Sequence, residues 1–440
     1  MKRHIFKQLQ NWKQSGYRKP LILQGARQVG KTYILESFAH AEFKNYAYVN
    51  FEQDDRAKQI FELDLKPQRI IKALALHLGM EITSENTLIF FDEIQACPNA
   101  LNSLKYFCEQ ASDYYVVAAG SLLGIKLSNN KGFPVGKVNF LELYPMSFFE
   151  FLQAMGKTPL AHYLNEIKQF EPINTAIHDD LCDLLKIYLY VGGMPEAVKI
   201  YIEKENFSAV RQVHEEIIKA YLLDFSKHAP DNQIMKITTL WNSLPEQLAK
   251  ENKKFVFSIL KSGARAREYE IALQWLIDAG LIYISYNITT PKLPLKAYLD
   301  NNAFKIYCLD VGILGALSDL DAKIILEKNA LFTEFKGAFT ENLAAQLLKS
   351  KGHKQLFYWT SAHTAEVDFV LPFENTILPL EIKSGTSTKK KSLLVYDHHY
   401  QPAILNRAGL LNLKKDGKLC NYPLYLLEKF PIGNRSGLVV

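Results

Sequence analysis

The sequence predicts an α/β fold, and three observations lead to this prediction. A short apolar run at residues 21–23 precedes a glycine-rich loop and then a helical pattern at residues 33–38. A second apolar run, residues 88–91, ends in two acidic residues, and apolar runs typical of strands return after residue 355. Buried strands that alternate with helices indicate a sheet covered by helices. We therefore expect sheets towards both ends of the chain and a largely helical stretch between them.

The bulk composition is that of an ordinary soluble globular protein. The 440 residues are enough for two to four domains, and the hydrophobic share of 48% and the charged share of 22% are average values. No apolar run is long enough to cross a bilayer, and the N-terminus lacks the apolar segment of a signal peptide. The five cysteines are scattered and form neither a zinc pattern nor a disulfide framework. We expect a cytoplasmic protein with no membrane partner.

The charge is unevenly distributed along the chain. The formal net charge is +6, and residues 330–440 carry 14 Lys and Arg against 9 Asp and Glu. A basic domain of this kind permits contact with nucleic acid without demonstrating it. DNA is therefore a candidate partner that composition alone does not decide.

The loop after the first apolar run matches the phosphate-binding pattern G-x-x-x-x-G-K-[ST] at every fixed position. Its nucleotide-site residues are Gly25, Ala26, Arg27, Gln28, Val29, Gly30, Lys31 and Thr32. The N–H groups of such a loop surround a phosphate at a helix N-terminus. We expect Lys31 to reach the β- and γ-phosphates and the Thr32 hydroxyl to hold Mg²⁺. No role follows from the sequence for Arg27 or Gln28. The loop predicts binding of a nucleoside triphosphate.

The acidic pair Asp92 and Glu93 follows the second apolar run, about sixty residues after the loop. A carboxylate at this strand end typically organises Mg²⁺, which is the role predicted for Asp92. Glu93 is then the expected general base for an attacking water. An adjacent glutamate favours hydrolysis over phosphate transfer to a small molecule.

Ser121 ends a third apolar run, residues 115–120, and two roles remain open for it. Beside the γ-phosphate it would sense that group or position the attacking water. As a helix N-cap it would have only a structural role. Residues 139–143 are the expected final strand of this domain.

Six segments resemble a large prokaryotic group of AAA-type ATP-binding proteins that carry a fused C-terminal domain of unknown function. They are, in order, RKPLILQGARQVGKT, LIFFDEIQ, AAGSLLG, FPVGKV, LYPMSFFEFL and GGMPEAV. The resemblance covers essentially the whole chain. It implies an AAA-like ATPase core at residues 1–145 that binds ATP through residues 25–32, Asp92 and Glu93. AAA-like cores often assemble, so self-association or a protein partner is also expected.

The middle of the chain predicts a helical lid at residues 146–230, broken by a Gly-Gly-x-Pro turn. Residues 231–325 show helices followed by two alternating strands, which is the outline of a winged helix. Arg265 and Arg267 lie at the start of its last helix. Three roles remain open for these arginines or their helix: contact with DNA, plain packing, or action on a neighbour's γ-phosphate.

Residues 326–440 resemble a restriction-endonuclease-like core. Its pattern places Glu341 on a helix and Asp368, Glu381 and Lys383 on adjacent strands. The three carboxylates would form an all-oxygen Mg²⁺ site, and Lys383 would orient the bound water. Lysines 389–391 are candidates for phosphate contacts. The pattern is loose, and a solvated sheet edge with ordinary charged residues is the alternative.

The leading functional hypothesis is a Mg²⁺-dependent ATPase whose nucleotide cycle controls a nuclease-like, DNA-directed C-terminal domain. The alternative is a nucleotide-switched interaction protein in which the nuclease-like fold is an inactive scaffold. A small-molecule phosphotransferase is disfavoured by Glu93 and by the large C-terminal half.

Overall fold

A computed structural model of the chain describes residues 1–120, 136–249, 254–322, 333–361, 365–385 and 391–432. Ser121, Lys389 and Lys390 therefore lie outside the described residues. The chain divides into two compact units. The N-terminal unit comprises Met1–Tyr144 with Asp278–Gly280, and the C-terminal unit comprises Pro145–Ile277 with Leu281–Val440.

The N-terminal unit contains a five-stranded sheet. Its strands are β1 (Leu21–Gln24), β2 (Asn45–Asn50), β3 (Thr87–Asp92), β4 (Tyr115–Ala119) and β5 (Asn139–Glu142). They lie in the order β2-β3-β4-β1-β5, and every pair is parallel. The glycine loop after β1 and the acidic end of β3 therefore lie at the same edge of the sheet, separated by the width of β4.

Helices cover this sheet, which explains why its central strands are continuous apolar runs. The helices are α1 (Ile5–Gln14), α2 (Lys31–Glu42), α3 (Asp55–Ile60), α4 (Pro67–Leu78) and α5 (Pro98–Gln110). Every residue of β3 is buried. The rings of Phe51, Phe61 and Phe91 meet at centroid distances of 5.5–5.6 Å beneath the helices. This packing fixes β3, and with it the position of the acidic residues at its end.

After the N-terminal sheet, the chain continues with helices and two further sheets. The helices are α6 (Phe148–Ala154), α7 (Thr158–Glu166), α8 (Thr175–Val191), α9 (Pro195–Lys204), α10 (Phe207–His228), α11 (Asp231–Asn242), α12 (Leu244–Ala249), α13 (Ala266–Asp278), α14 (Val311–Leu317), α15 (Thr333–Ser350) and α16 (Lys391–Tyr400). One C-terminal sheet contains β6 (Ile282–Ile288), β7 (Leu299–Cys308), β8 (Leu356–Thr360) and β9 (Glu366–Val367). The other contains β10 (Phe369–Phe373), β11 (Thr376–Ile382), β12 (Leu405–Gly409), β13 (Lys414–Asp416) and β14 (Leu419–Pro423), in the order β10-β11-β12-β14-β13.

The hairpin of the predicted winged-helix module belongs to a larger sheet. Strand β6 pairs antiparallel with β7 and parallel with β8, in the order β7-β6-β8-β9. The predicted domain boundary between residues 325 and 326 thus falls between strands that share one sheet. The winged-helix interpretation stays a prediction, and one strand of its hairpin, β6, lies in the sheet interior.

Asp310 joins three segments of the C-terminal unit that are distant in sequence. Its carboxylate accepts the N–H groups of Gly193 at 2.6 Å and Gly312 at 2.9 Å, and the side-chain amide of Gln346 at 3.2 Å. Burial raises the pKa of Asp310 to about 6, although these hydrogen bonds oppose the shift. The contacts fix the turn between α8 and α9, cap the start of α14 and connect both to α15.

The turn at Gly192 and Gly193 leaves no room for a side chain. A Cβ atom at Gly192 would lie 2.1 Å from Asp310 Oδ1, and one at Gly193 would lie 2.1 Å from the Met146 carbonyl oxygen. The Met146 N–H donates to the Gly193 carbonyl at 2.6 Å. The Gly-Gly-x-Pro segment is therefore a close crossing of backbone segments as well as a turn.

We expect Gly193→Ala to destabilise the C-terminal unit, because the added methyl group would have to displace the Met146 carbonyl. The free energy of unfolding should fall by about 2–4 kcal/mol, measured by urea titration followed by circular dichroism. Gly16→Ala is the matched control, since nothing lies within 4 Å of a Cβ atom at Gly16. Its stability should change by less than about 0.5 kcal/mol. Equal stability of the two variants would show that the crossing tolerates a side chain.

Candidate functional site

The glycine loop of the N-terminal unit has a backbone that requires its glycines. Gly25 has a φ of +148°, and a Cβ atom there would lie 2.2 Å from the Leu143 carbonyl oxygen. Gln28 and Gly30 have φ values of +65° and +93°, in the left-handed region. Gly30 immediately precedes α2. The loop therefore ends at a helix N-terminus, where unpaired N–H groups and the helix dipole favour an anion.

Lys31 is buried beside this loop and donates to its backbone. The Nζ atom lies 2.9 Å from the Gly25 carbonyl oxygen and 2.8 Å from that of Ala26. Burial lowers the pKa of Lys31 to about 8, although the carboxylates of Glu93 and Asp92 oppose the shift. Lys31 is thus a poorly solvated cation whose partners are two neutral carbonyls.

Thr32 and Asp92 meet at the ends of the loop and of β3. The Thr32 hydroxyl donates to Asp92 Oδ2 at 2.9 Å, and the Tyr48 hydroxyl donates to the same oxygen at 3.0 Å. Burial raises the pKa of Asp92 above its ordinary value, and these two hydrogen bonds oppose the shift. A hydroxyl and a carboxylate are hard oxygen ligands of the kind that Mg²⁺ prefers. The residues present therefore fit a magnesium–triphosphate complex.

Glu93 follows Asp92 in an unusual backbone conformation. Its φ of +47° lies in the left-handed region, and its N–H donates to Asp92 Oδ1 at 3.0 Å. The side-chain amide of Gln95 donates to Glu93 Oε2. Gln95 therefore restrains the carboxylate that the sequence analysis predicts to be the general base.

Arg27 and Gln28 differ in exposure. Arg27 is half-buried and Gln28 is exposed. The charge of Arg27 contributes slightly to the lowered pKa of Lys31. Tyr48 and Gln95 are contacts of the site that the sequence analysis did not identify. Tyr48 lies on β2, where the alternating pattern predicts the strand but not the partner of its hydroxyl.

In the C-terminal unit, Lys305 on β7 is fully buried among acidic side chains. Its Nζ atom lies 3.5 Å from Glu341 Oε2 and 3.9 Å from Asp368 Oδ1, and it also pairs with Glu366. The centroid of the Tyr358 ring lies 5.0 Å from Nζ. Burial by itself would lower the pKa of Lys305, but the surrounding carboxylates outweigh it and raise that pKa well above its ordinary value. We refer to these four charged residues as the Lys305 cluster.

Glu381 has a different cationic partner. Its Oε1 atom lies 2.6 Å from Lys383 Nζ, and Arg407 is its in-register neighbour on β12. Burial raises the pKa of Glu381, and the hydrogen bond and charge of Lys383 oppose the shift. The N–H of Ile382 donates to Asp368 Oδ2 at 2.7 Å, which places Asp368 beside the end of β11.

The structure thus brings the predicted C-terminal site residues into one region but gives the carboxylates lysine partners. Within the described part of the chain, no group of three or more His, Cys, Asp or Glu side chains is placed to hold a metal ion. The sequence analysis expected Glu341, Asp368 and Glu381 to share one Mg²⁺ ion. Instead Lys305 pairs with the first two and Lys383 with the third, and the metal-binding role stays a prediction. Lys305 and Glu366 were missed because each lies in a pattern that predicts only a strand.

Comparison with known proteins identifies the N-terminal region. A family model described as an AAA domain matches residues 17–152. Models of two domains of unknown function, DUF8612 and DUF4143, match residues 182–324 and 336–426. No curated protein matches the chain. The N-terminal region is therefore a P-loop ATPase domain of the AAA type, and it is followed by domains without an assigned function.

Several solved structures are similar to this chain at low identity. The Walker-type ATPase paby2304 of Pyrococcus abyssi has 13% identity and a TM-score of 0.45, over 71% of this chain and 94% of that chain. The Aeropyrum pernix Orc1 protein in complex with DNA has 13% identity and a TM-score of 0.29, over 72% and 93%. AMPPCP-bound DnaA from Aquifex aeolicus has 12% identity and a TM-score of 0.27, over 61% and 84%.

No helix in the described ranges combines the length and apolar character needed to cross a membrane.

We expect the affinity for nucleotide to fall as the pH rises through about 8. Lys31 has a pKa of about 8 in the nucleotide-free protein, so above this pH it must take up a proton before it can bind phosphate as a cation. The dissociation constant should rise by up to about tenfold per pH unit above 8. Titration of a fluorescent ATP analogue with Mg²⁺ between pH 6.5 and 9.5 measures this dependence.

Lys31→Arg is the control for this experiment, because a guanidinium stays charged throughout the range. Its affinity should be lower overall but should change little with pH. A pH dependence in Lys31→Arg as steep as that of the unmodified protein would assign the effect to another group.

Proposed function

We propose that the chain is a Mg²⁺-dependent ATPase whose nucleotide cycle controls its C-terminal region. The observation that carries this proposal is the 2.9 Å hydrogen bond between Thr32 and Asp92. It joins the end of the glycine loop to the end of the acidic strand, and P-loop ATPases hold their metal from these two positions. The AAA-type domain match at residues 17–152 supports the same proposal.

Each residue of the site has one task in this proposal. Lys31 leaves the carbonyls of its own loop and donates to the β- and γ-phosphate oxygens. Thr32 and Asp92 would hold Mg²⁺, which would offset the negative charge on the transferring phosphate. Glu93 accepts a proton from the attacking water. Tyr48 holds the Asp92 carboxylate in position through its hydroxyl.

We expect Glu93→Gln to bind ATP with unchanged affinity and to hydrolyse it at least about a hundredfold more slowly, because the amide cannot accept the proton. Phosphate release and binding of a fluorescent ATP analogue measure the two effects separately.

Lys31→Ala should lose binding as well as hydrolysis. EDTA should abolish hydrolysis in the unmodified protein, and Mg²⁺ should restore it.

Glu62→Gln provides the matched control, since Glu62 is an exposed glutamate of the same unit. Its hydrolysis rate should equal that of the unmodified protein. Normal hydrolysis by Glu93→Gln would assign the general-base role to another residue.

We propose further that the C-terminal region acts on DNA. Support comes from its net positive charge and from the positions of three residues: Asp368 lies immediately before β10, Glu381 lies on its partner β11, and Lys383 directly follows β11. In this proposal, nucleotide binding and hydrolysis alternately restrict and permit access to DNA. Stimulation of ATP hydrolysis by DNA would accompany such coupling.

A second candidate is a nucleotide-switched regulator whose C-terminal region binds a partner without cleaving DNA. The Lys305 cluster favours it. A metal-dependent nuclease needs a divalent cation among its carboxylates, whereas Lys305 already forms ion pairs with two of the predicted ligands, Glu341 and Asp368. Breaking a buried ion pair is costly, so a metal does not readily replace this lysine.

The second candidate predicts that the unmodified protein leaves supercoiled plasmid intact with Mg²⁺ or Mn²⁺, with and without ATP, under conditions in which it hydrolyses ATP, whereas a nuclease would nick it. Gel electrophoresis of the plasmid measures nicking. Lys383→Ala and Lys31→Ala are run beside it. Nicking that disappears in Lys383→Ala would overturn the second candidate and establish a nuclease. Its disappearance in Lys31→Ala would then show that ATP controls cleavage.

A further inference from the structure

The glycine loop contains backbone carbonyl groups that face the protein interior and need hydrogen-bond donors there. A loop that directs successive N–H groups towards a phosphate must direct carbonyl oxygens the other way, into the protein. Val29 is completely buried, so its carbonyl has no access to water. An unsatisfied buried carbonyl is unfavourable, and the loop conformation therefore depends on a donor behind it.

Arg3 supplies that donor. Its Nη1 atom donates to the Val29 carbonyl oxygen at 3.0 Å, and its Nη2 atom donates to the Tyr144 carbonyl oxygen at 2.5 Å. The Arg3 side chain is itself buried, with 8% of the residue exposed. A guanidinium presents its donors in a fixed planar arrangement, so one side chain holds both carbonyls at a defined separation.

The second carbonyl belongs to the segment that supports the start of the loop. The N–H of Leu143 donates to the Gln24 carbonyl at 2.8 Å, and the Leu143 carbonyl oxygen closely approaches Gly25. Tyr144 is the next residue. Arg3 therefore links the end of the loop, at Val29, to the segment against which its first glycine packs.

Helix α1, which begins two residues after Arg3, is firmly attached to the unit. Ile5, Leu9 and Trp12 are buried on its inner face. The rings of Phe6 and Trp12 contact Phe38 of α2 at centroid distances of 5.8 and 6.4 Å. Arg3 thus extends from a helix that packs against α2, the helix that follows the glycine loop.

We propose that Arg3 is a positioning residue for the nucleotide loop. Its guanidinium holds the Val29 carbonyl in the inward-facing orientation, away from the nucleotide, and thereby keeps the loop N–H groups directed at phosphate. The inference rests on the proposed ATPase function and adds a residue outside the motif to its binding site. Arg3 acts on nucleotide affinity, whereas Glu93 acts on the chemical step.

The test measures the dissociation constant of a fluorescent ATP analogue, and the KM and kcat of ATP hydrolysis, in the full-length protein. Arg3→Ala should raise the dissociation constant and KM by about tenfold, which corresponds to about 1.4 kcal/mol. Its kcat should stay within about twofold of the unmodified value, because the groups that act on the γ-phosphate are unchanged. Arg3→Lys keeps the charge but loses the paired geometry, and should give an intermediate dissociation constant.

Arg18→Ala is the matched control. Arg18 also donates to two backbone carbonyls of the same unit, those of Ser112 and Asp113, at 3.0 and 3.1 Å. These residues precede β4, at the edge of the sheet opposite to the glycine loop. Arg18→Ala removes a comparable link and should leave the dissociation constant within about twofold of the unmodified value.

Three outcomes would overturn the inference. They are an unchanged dissociation constant in Arg3→Ala, an equal loss of affinity in Arg18→Ala, or a fall in kcat at constant affinity. If Arg3→Ala does not fold, the test rests on Arg3→Lys. An affinity of Arg3→Lys for the analogue within twofold of that of the unmodified protein would then overturn the inference. Failure of the unmodified protein to bind the analogue would instead contradict the ATPase function itself.

Discussion

A charged group removed from water must find partners inside the protein, and this constraint arranges the polar interior of both units. Lys31 is held by two carbonyls of its own loop, Asp310 by N–H groups, and Lys305 by carboxylates. These three sets of partners differ in how strongly they stabilise the buried charge. Neutral carbonyls are weaker partners for a cation than carboxylates are. Of these three groups, Lys31 is therefore the one whose partners an anionic ligand can most readily replace.

This difference separates a binding site from a structural cluster, although both contain buried lysines and nearby acids. At the nucleotide loop, Asp92 accepts hydrogen bonds from the hydroxyls of Thr32 and Tyr48, and Glu93 accepts one from the side-chain amide of Gln95. In the C-terminal unit the carboxylates of Glu341, Glu366 and Asp368 already pair with Lys305. The same residue types thus have different partners in the two units, and the distances between the charged atoms distinguish the two arrangements.

The sequence predicted the elements of the ATPase domain well because its signals are local. The loop motif, the apolar run of β3 and the acidic pair each lie within a few consecutive residues. Contacts between distant residues left no such signal. Arg3 and Val29 are 26 residues apart, and Lys305 and Glu366 are 61 apart. A lysine in a strand of alternating apolar and polar residues is normally interpreted as solvent-exposed. In addition, no local pattern shows that β6 lies between β7 and β8. The predicted metal site depended on which carboxylates face one another, and this is a property of tertiary structure.

The hydrogen bonds of Asp310 also bear on how the protein forms during synthesis. The N–H of Gly193 lacks its carboxylate partner until Asp310 has been made, and Gln346 completes the network later still. At about 5–20 residues per second, the ribosome needs on the order of 6–23 s to add the residues between Gly193 and Asp310. The strands of the N-terminal sheet are all made before this interval begins. During this interval the turn between α8 and α9 has no carboxylate to accept the N–H of Gly193, so this part of the C-terminal unit is completed later than the N-terminal sheet can be.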